Sequence, residues 1–232
     1  MLHSPSVPAR RASPPPVHPR GDVAQLEERR VRIAEARGSS PLISTIHPIA
    51  RREELVSDSV DPVATPEAYQ KLVLSFLGPD DPAEVQAATP ATVRTLMADA
   101  GDLVRERPEP SEWSVLECLG HLVDGELIVS ARYRWIVAED EPDIVGYEQA
   151  LWVDALRHGD DDPAALLSLF DALRAANLDL WSRLPVEDRQ RIGRHRERGP
   201  ESYDMTFRLS AGHDRLHLAQ ARRALEAVRQ RA

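Results

Sequence analysis

The sequence predicts an all-α fold, a four-helix bundle with short additional helices. Three observations carry that expectation. Apolar residues recur with a helical period over most of the chain, N-terminal capping signals stand in front of several of these stretches, and no segment alternates as a half-buried strand would. Long helices with short connectors bury their apolar stripes best by packing side by side.

The first helix opens at Thr65-Pro66-Glu67, which supplies an N-cap, a first-turn proline and a first-turn acid. Tyr69, Leu72, Val73, Phe76 and Leu77 give it one apolar face, and Gly78-Pro79 ends it. Thr89-Pro90 is expected to open a second helix with Val93, Leu96, Met97 and Ala100 inward, closed by Pro108 and Pro110. Ser114 and Glu117 form a capping box, in which each side chain serves a free backbone amide of the other. The helix they start should run to about Asp140, with Val115, Leu119, Leu122, Val129 and Ile136 among its apolar positions. The stretch from Tyr147 to Trp152 is expected to be irregular. Asp162-Pro163 caps another helix, with Leu166, Phe170, Leu173, Leu180, Trp181 and Leu184 turned inward. Arg191 to Gly199 is polar and broken by glycine, which predicts a surface loop with a solvated His195. The last helix begins near Ser202, and Arg222, Arg223 and Arg229 suit the negative end of its dipole.

Residues 1–55 differ from the rest. The stretch Met1 to Arg20 is rich in proline and arginine and has no apolar period, so it predicts a disordered extension without the apolar segment of a signal peptide. Gly21-Asp-Val-Ala-Gln-Leu26 and Arg37-Gly-Ser-Ser-Pro-Leu42 resemble translated pieces of a transfer-RNA gene. The 25 codons from Gly21 to Thr45 also span about the length of one transfer RNA. The extension is therefore expected to come from a start assigned too far upstream, with the folded domain at residues 62–230. It holds nine arginines against six acidic residues, leaving 20 basic and 32 acidic residues, net −12, in residues 56–232. That acidity argues against a nucleic-acid partner. The apolar runs are too short to span a membrane. Cys118 is the single cysteine, which excludes an internal disulfide and suits a reducing, cytoplasmic setting.

The chemistry points to Ser210-Ala-Gly-His-Asp-Arg-Leu-His-Leu-Ala-Gln220. His213 and His217 stand four residues apart, so their imidazoles share one helix face and can meet at one divalent metal. Asp214, next to the first histidine, does not supply the base of an H-E-x-x-H site. A third ligand must come from another helix, and His121 is the best candidate, although an imidazole on an apolar stripe can also be a satisfied core residue. Asp214 and Glu126 could support the metal or move protons, or could be solvated helix charges. There is no Walker loop, no G-x-G-x-x-G, no cysteine pair and no G-x-S-x-G elbow. Three neutral imidazoles would suit zinc, nickel, iron or manganese and leave coordination positions open.

Trp113-Ser114-x-x-Glu117-x-x-x-His121-Leu122, joined to His213-Asp214-x-x-His217-x-x-Gln220, resembles the DinB-like (DNA-damage-inducible) superfamily of helical metalloproteins. Arg134-x-x-x-Ala-Glu-Asp-x-Pro142 is similar to its linking segment, and the resemblance covers roughly residues 66–228. It implies a four-helix bundle, often a homodimer, with a metal on three histidines that match His121, His213 and His217. It further implies a divalent-metal-dependent enzyme activating a low-molecular-weight thiol or water, of the thiol S-transferase or hydrolase type. A non-catalytic, metal-stabilised binding or stress-response module is the alternative, and a metal-free helical interaction domain is the third. No catalytic residue is singled out by the sequence, and the substrate is expected to be a small molecule.

The absence of apolar period before Thr65 makes the extension dispensable. A chain beginning at Val56 should match the full chain in thermal midpoint, helicity and metal content; a large loss of stability would show that the extension packs on the domain.

Overall fold

The computed structural model describes residues 65–231, so the disorder expected for residues 1–55 lies outside the described residues. Helix α1 spans Pro66–Leu77, α2 Pro82–Ala100, α3 Val115–Ala138, α4 Gln149–Ala155, α5 Pro163–Arg183 and α6 Tyr203–Arg231. Two-residue strand β1 (Asp143–Ile144) pairs in parallel with β2 (Ile192–His195), which pairs antiparallel with β3 (Gly199–Ser202). The bundle consists of α2, α3, α5 and α6. Its main packed pairs are α2 with α6, α6 with α3, α3 with α5 and α5 with α2, so the ring order differs from the chain order. Helix α1 lies outside this ring against α6. No helix among the described residues is long and apolar enough to cross a membrane.

Local chemistry explains most boundaries. The Ser114 hydroxyl accepts from the Glu117 amide at 3.2 Å, and the Glu117 carboxylate accepts from the Ser114 amide at 2.8 Å, which is the expected capping box. Asp162 caps α5 through the Ala164 amide at 3.1 Å. The last carbonyls of α1, at Phe76 and Leu77, have no amides to serve them within the helix. Arg215 of α6 donates to both, at 3.1 and 3.0 Å.

Five expectations need correction. Helix α2 begins at Pro82, not Pro90; Asp81 accepts from the Ala83 and Glu84 amides, and this earlier cap outweighs the Thr89-Pro90 signal. Pro90 therefore sits inside the helix, where it leaves the Gln86 carbonyl without its usual donor. The Arg174 guanidinium takes that carbonyl at 3.0 Å. The helix ends at Ala100 and passes into a 3-10 turn, Gly101–Arg105, before Pro108 is reached. The Tyr147–Trp152 stretch is not wholly irregular, since α4 starts at Gln149. The expected loop at 191–199 is the β2–β3 hairpin, held by backbone pairing that carries no apolar alternation, and Gly193 lets it lie against Ile144 and Ile136. His195 on that hairpin is 4% exposed rather than solvated.

The bundle interior is layered. Val93, Leu96, Leu116, Leu119, Phe170 and Leu225 belong to one apolar cluster. Tyr133, Ile136, Leu180, Tyr203 and Phe207 form another, with Trp181 stacked on Phe207 at 3.9 Å. Along α3, α5 and α6 alike, the polar residues Glu126, Arg174, Asn177 and Asp214 fall between these clusters in sequence, and all four are buried.

Helix α1 approaches α6 closely enough for backbone contact. A Cβ on Gly212 would lie 2.1 Å from the Val73 carbonyl oxygen. Alanine would improve α6 by about 1 kcal/mol on intrinsic propensity, but a backbone atom cannot rotate aside, and overpacking typically costs about 1–3 kcal/mol. Gly212→Ala should therefore lower stability by about 1–2 kcal/mol net in urea denaturation; an unchanged or raised midpoint would show that α1 can shift freely.

Candidate metal centre

His121 comes from the second turn of α3, and His213 and His217 from successive turns of α6. Their Nε2 atoms converge: that of His121 lies 3.0 Å from that of His213 and 3.2 Å from that of His217. The three ligand atoms all fall within 4.8 Å of one another. Nitrogen ligands held about 2.0–2.1 Å from one ion stand about 3 Å apart, so this donor set fits a single transition metal. The sequence-predicted residues are thus brought together on one face.

The surroundings fix the rings. His217 Nδ1 lies 2.8 Å from the Gln220 side-chain oxygen, an acceptor, so its proton sits on Nδ1 and its Nε2 lone pair faces the cluster. Gln220 is one turn further along α6, a neighbour that helical spacing could have identified. Trp113 packs on both His121 and His217, with ring centroids 5.0 and 5.9 Å away. Burial drives the His121 and His217 pKa values well below the imidazole range and that of His213 down to about 4. The neighbouring imidazoles push His121 the same way. All three rings are consequently neutral at pH 7, the form that binds metal.

Behind the cluster lies an ion network that sequence reasoning left as solvated charge. Arg174, 1% exposed, donates to Asp214 at 2.5 and 3.1 Å and to Glu126 at 2.7 Å. Burial opposes its charge, but the two carboxylates more than offset this and hold its pKa above the ordinary value. Thr89 donates to Asp214 at 2.9 Å and Asn177 to Glu126 at 2.6 Å. Asp214 and Glu126 are therefore engaged structural acceptors rather than solvated charges. The signal was present on α5, where Arg174 and Asn177 interrupt the inward register between Phe170 and Leu180.

Another buried histidine sits nearby. His158 lies between Asp124 at 2.8 Å and Asp161 at 2.6 Å, and it packs where a Cβ on Gly120 would be. It pins the segment after α4 to α3. Cys118 is 1% exposed among apolar neighbours, and burial pushes its thiol pKa well up, so it behaves as a small core residue.

Beside His213 opens a cavity of about 110 Å³, walled by α1, α3, α6 and the hairpin. Its apolar wall includes Val73, Leu122, Val129 and Leu209; its polar wall includes Arg132, Tyr147 and His195. None of these polar residues was singled out from sequence as part of a site.

Residues 83–221 match the DinB superfamily, and the chain belongs to that superfamily. It is similar to a protein of Oceanobacillus iheyensis named "Putative metal-dependent hydrolase OB0782", 28% identical over 108 residues, 46% of this chain. Here the chain spans 62% of the relative's length. It is also similar in fold to YfiT from Bacillus subtilis, described as "a probable metal-dependent hydrolase with an unusual four-helix bundle topology". That likeness covers 82% of this chain and 95% of that one at a TM-score of 0.57 and 18% identity.

The depressed imidazole pKa values set a pH window. A free histidine titrates near 6.5, whereas His213 stays neutral down to about 4 and burial holds His121 and His217 well below the ordinary value as well. Between those values the unfolded chain takes up protons that the native chain does not, so stability falls as pH falls. Urea midpoints of metal-free protein should drop between pH 6.5 and about 4.5. His213→Ala should make that drop shallower; an unaltered slope would show that the ring is not held neutral.

Proposed function

We propose that this chain is a divalent-metal-dependent enzyme of the hydrolase type, with His121, His213 and His217 as the ligands. The observation that carries the reading is the convergence of three neutral Nε2 atoms beside a cavity. A bound zinc, nickel, iron or manganese ion would lower the pKa of a water, or of a small external thiol, in an open position. The names of the relatives support hydrolysis. The same charge argument keeps thiol S-transfer as the second reading, because no carboxylate ligand offsets the ion.

The chain's own residues narrow the roles. Glu126 and Asp214 are committed to Arg174 and are poor candidates for a general base. Cys118 is sealed in the core and supplies no nucleophile. The Tyr147 hydroxyl lies 3.8 Å from the Cβ position of Gly125, the residue on which His213 rests. Burial holds its pKa up, so it stays protonated and can donate to a developing oxyanion.

Elemental analysis of untagged protein tests the centre. Near-stoichiometric transition metal is expected, each single histidine-to-alanine change should remove most of it, and double changes should add little, as shared ligands require. Cys118→Ala should keep metal and activity. Turnover of an ester and amide panel by metal-loaded protein would support hydrolysis. A sulfur-to-metal charge-transfer band when thiol is added to cobalt-loaded protein, with turnover only of thiol–electrophile pairs, would shift the assignment to transfer. Metal retained by all three alanine variants would sink the centre.

A further inference from the structure

We propose that Arg132 anchors a substrate subsite that takes the carboxylate of a small aliphatic acid and directs the remainder along the cavity toward the three imidazoles. The metal reading above is needed only to say which end of the ligand reacts.

Arg132 is 8% exposed, and among the described residues its one hydrogen bond is from Nη2 to the Val145 carbonyl at 2.9 Å. Its Nε is buried without a partner. Three of the four carboxylates lining the same cavity are engaged: Glu126 and Asp214 are held by Arg174, and Glu201 by Arg198 at 2.6 and 3.0 Å. The fourth, Glu197, has its Oε2 buried without a hydrogen-bond partner, 3.0 Å from His195 Nδ1, which accepts from the Glu197 amide. Glu201 accepts from Thr206 and Gln70 as well. A buried guanidinium without a carboxylate is a poor contributor to stability, and its fork of donors matches a planar oxyanion. Burial, reinforced by the adjacent Arg198 charge and only partly offset by Glu201, pulls its pKa below the ordinary arginine value.

The shape of the cavity limits the ligand. Arg132 follows His121 by eleven residues on α3, three helical turns on the same face, about 16 Å along the axis. Gly125, under His213, is seven residues from Arg132, about 10 Å. A side chain reaching back along the helix shortens that gap to one that an acid of about four to six carbons can bridge. The volume of about 110 Å³ and the walls Val73, Leu122, Val129 and Leu209 suit such a chain. Tyr147 has no hydrogen-bond partner among the described residues and lines the same path. Phosphate shares the oxyanion chemistry, but the apolar walls favour an alkyl carboxylate.

The test is a calorimetric titration with sodium hexanoate and inorganic phosphate of metal-free and of zinc-loaded protein, with zinc content measured in parallel. Hexanoate should bind metal-free protein at one saturable site. Arg132→Gln should weaken it about tenfold or more, Arg132→Lys should recover part of the loss, and His217→Ala should leave it nearly unchanged. Phosphate should compete poorly. Three results would overturn the subsite: affinity unchanged in Arg132→Gln, binding confined to zinc-loaded protein and abolished by His217→Ala, or phosphate outcompeting hexanoate. Hexanoate binding by a protein that takes up no zinc would sink the metal centre and leave the subsite standing.

Discussion

Arg174 donates to a carboxylate on α3, a carboxylate on α6 and a backbone carbonyl on α2, so one side chain on α5 ties the four bundle helices together at one level. Burying a guanidinium and two carboxylates is costly, and apolar residues of the same volume would often stabilise a bundle as well or better. The network instead imposes register. An apolar core tolerates sliding by a helical turn, but such a shift here would strand at least one buried charge, at roughly 3–5 kcal/mol.

That register places the imidazoles. Asp214 directly follows His213 and lies three residues before His217, so fixing its carboxylate on Arg174 fixes the rotation of α6 at the point where both rings leave it. Glu126 does the same for α3, five residues beyond His121. Two rings on one helix and one on another reach Nε2 separations of 3.0 and 3.2 Å only if both helices are held in height and rotation. The charged layer thus acts as scaffold to the cluster, and the hydrogen bond from His217 to Gln220 completes the orientation.

The helical class, the capping box at Ser114 and the pairing of His213 with His217 were legible in the sequence, because each rests on short-range spacing; His121, 92 residues from His213, joined them only through the family resemblance. Features set by distant partners were not. His195 lies in a polar, glycine-containing segment whose backbone pairing leaves no periodic trace, so it gave every local sign of a solvated loop. Glu126 and Asp214 look like ordinary helix charges until Arg174, 48 and 40 residues away, is seen between them. Arg132 and Tyr147 share a cavity only because the segment after α3 folds back, and no spacing rule predicts that return.

Pro90 has a consequence of a different kind. By local preference almost any other residue would suit the middle of α2, alanine best of all. Yet an amide at position 90 would reclaim the Gln86 carbonyl and compete with the guanidinium that now occupies it. Selection for helix robustness at this position and selection for an intact charged layer would therefore pull in opposite directions. Helix-improving substitutions, a common first resort in hardening a bundle, would here loosen the part of the protein nearest its chemistry.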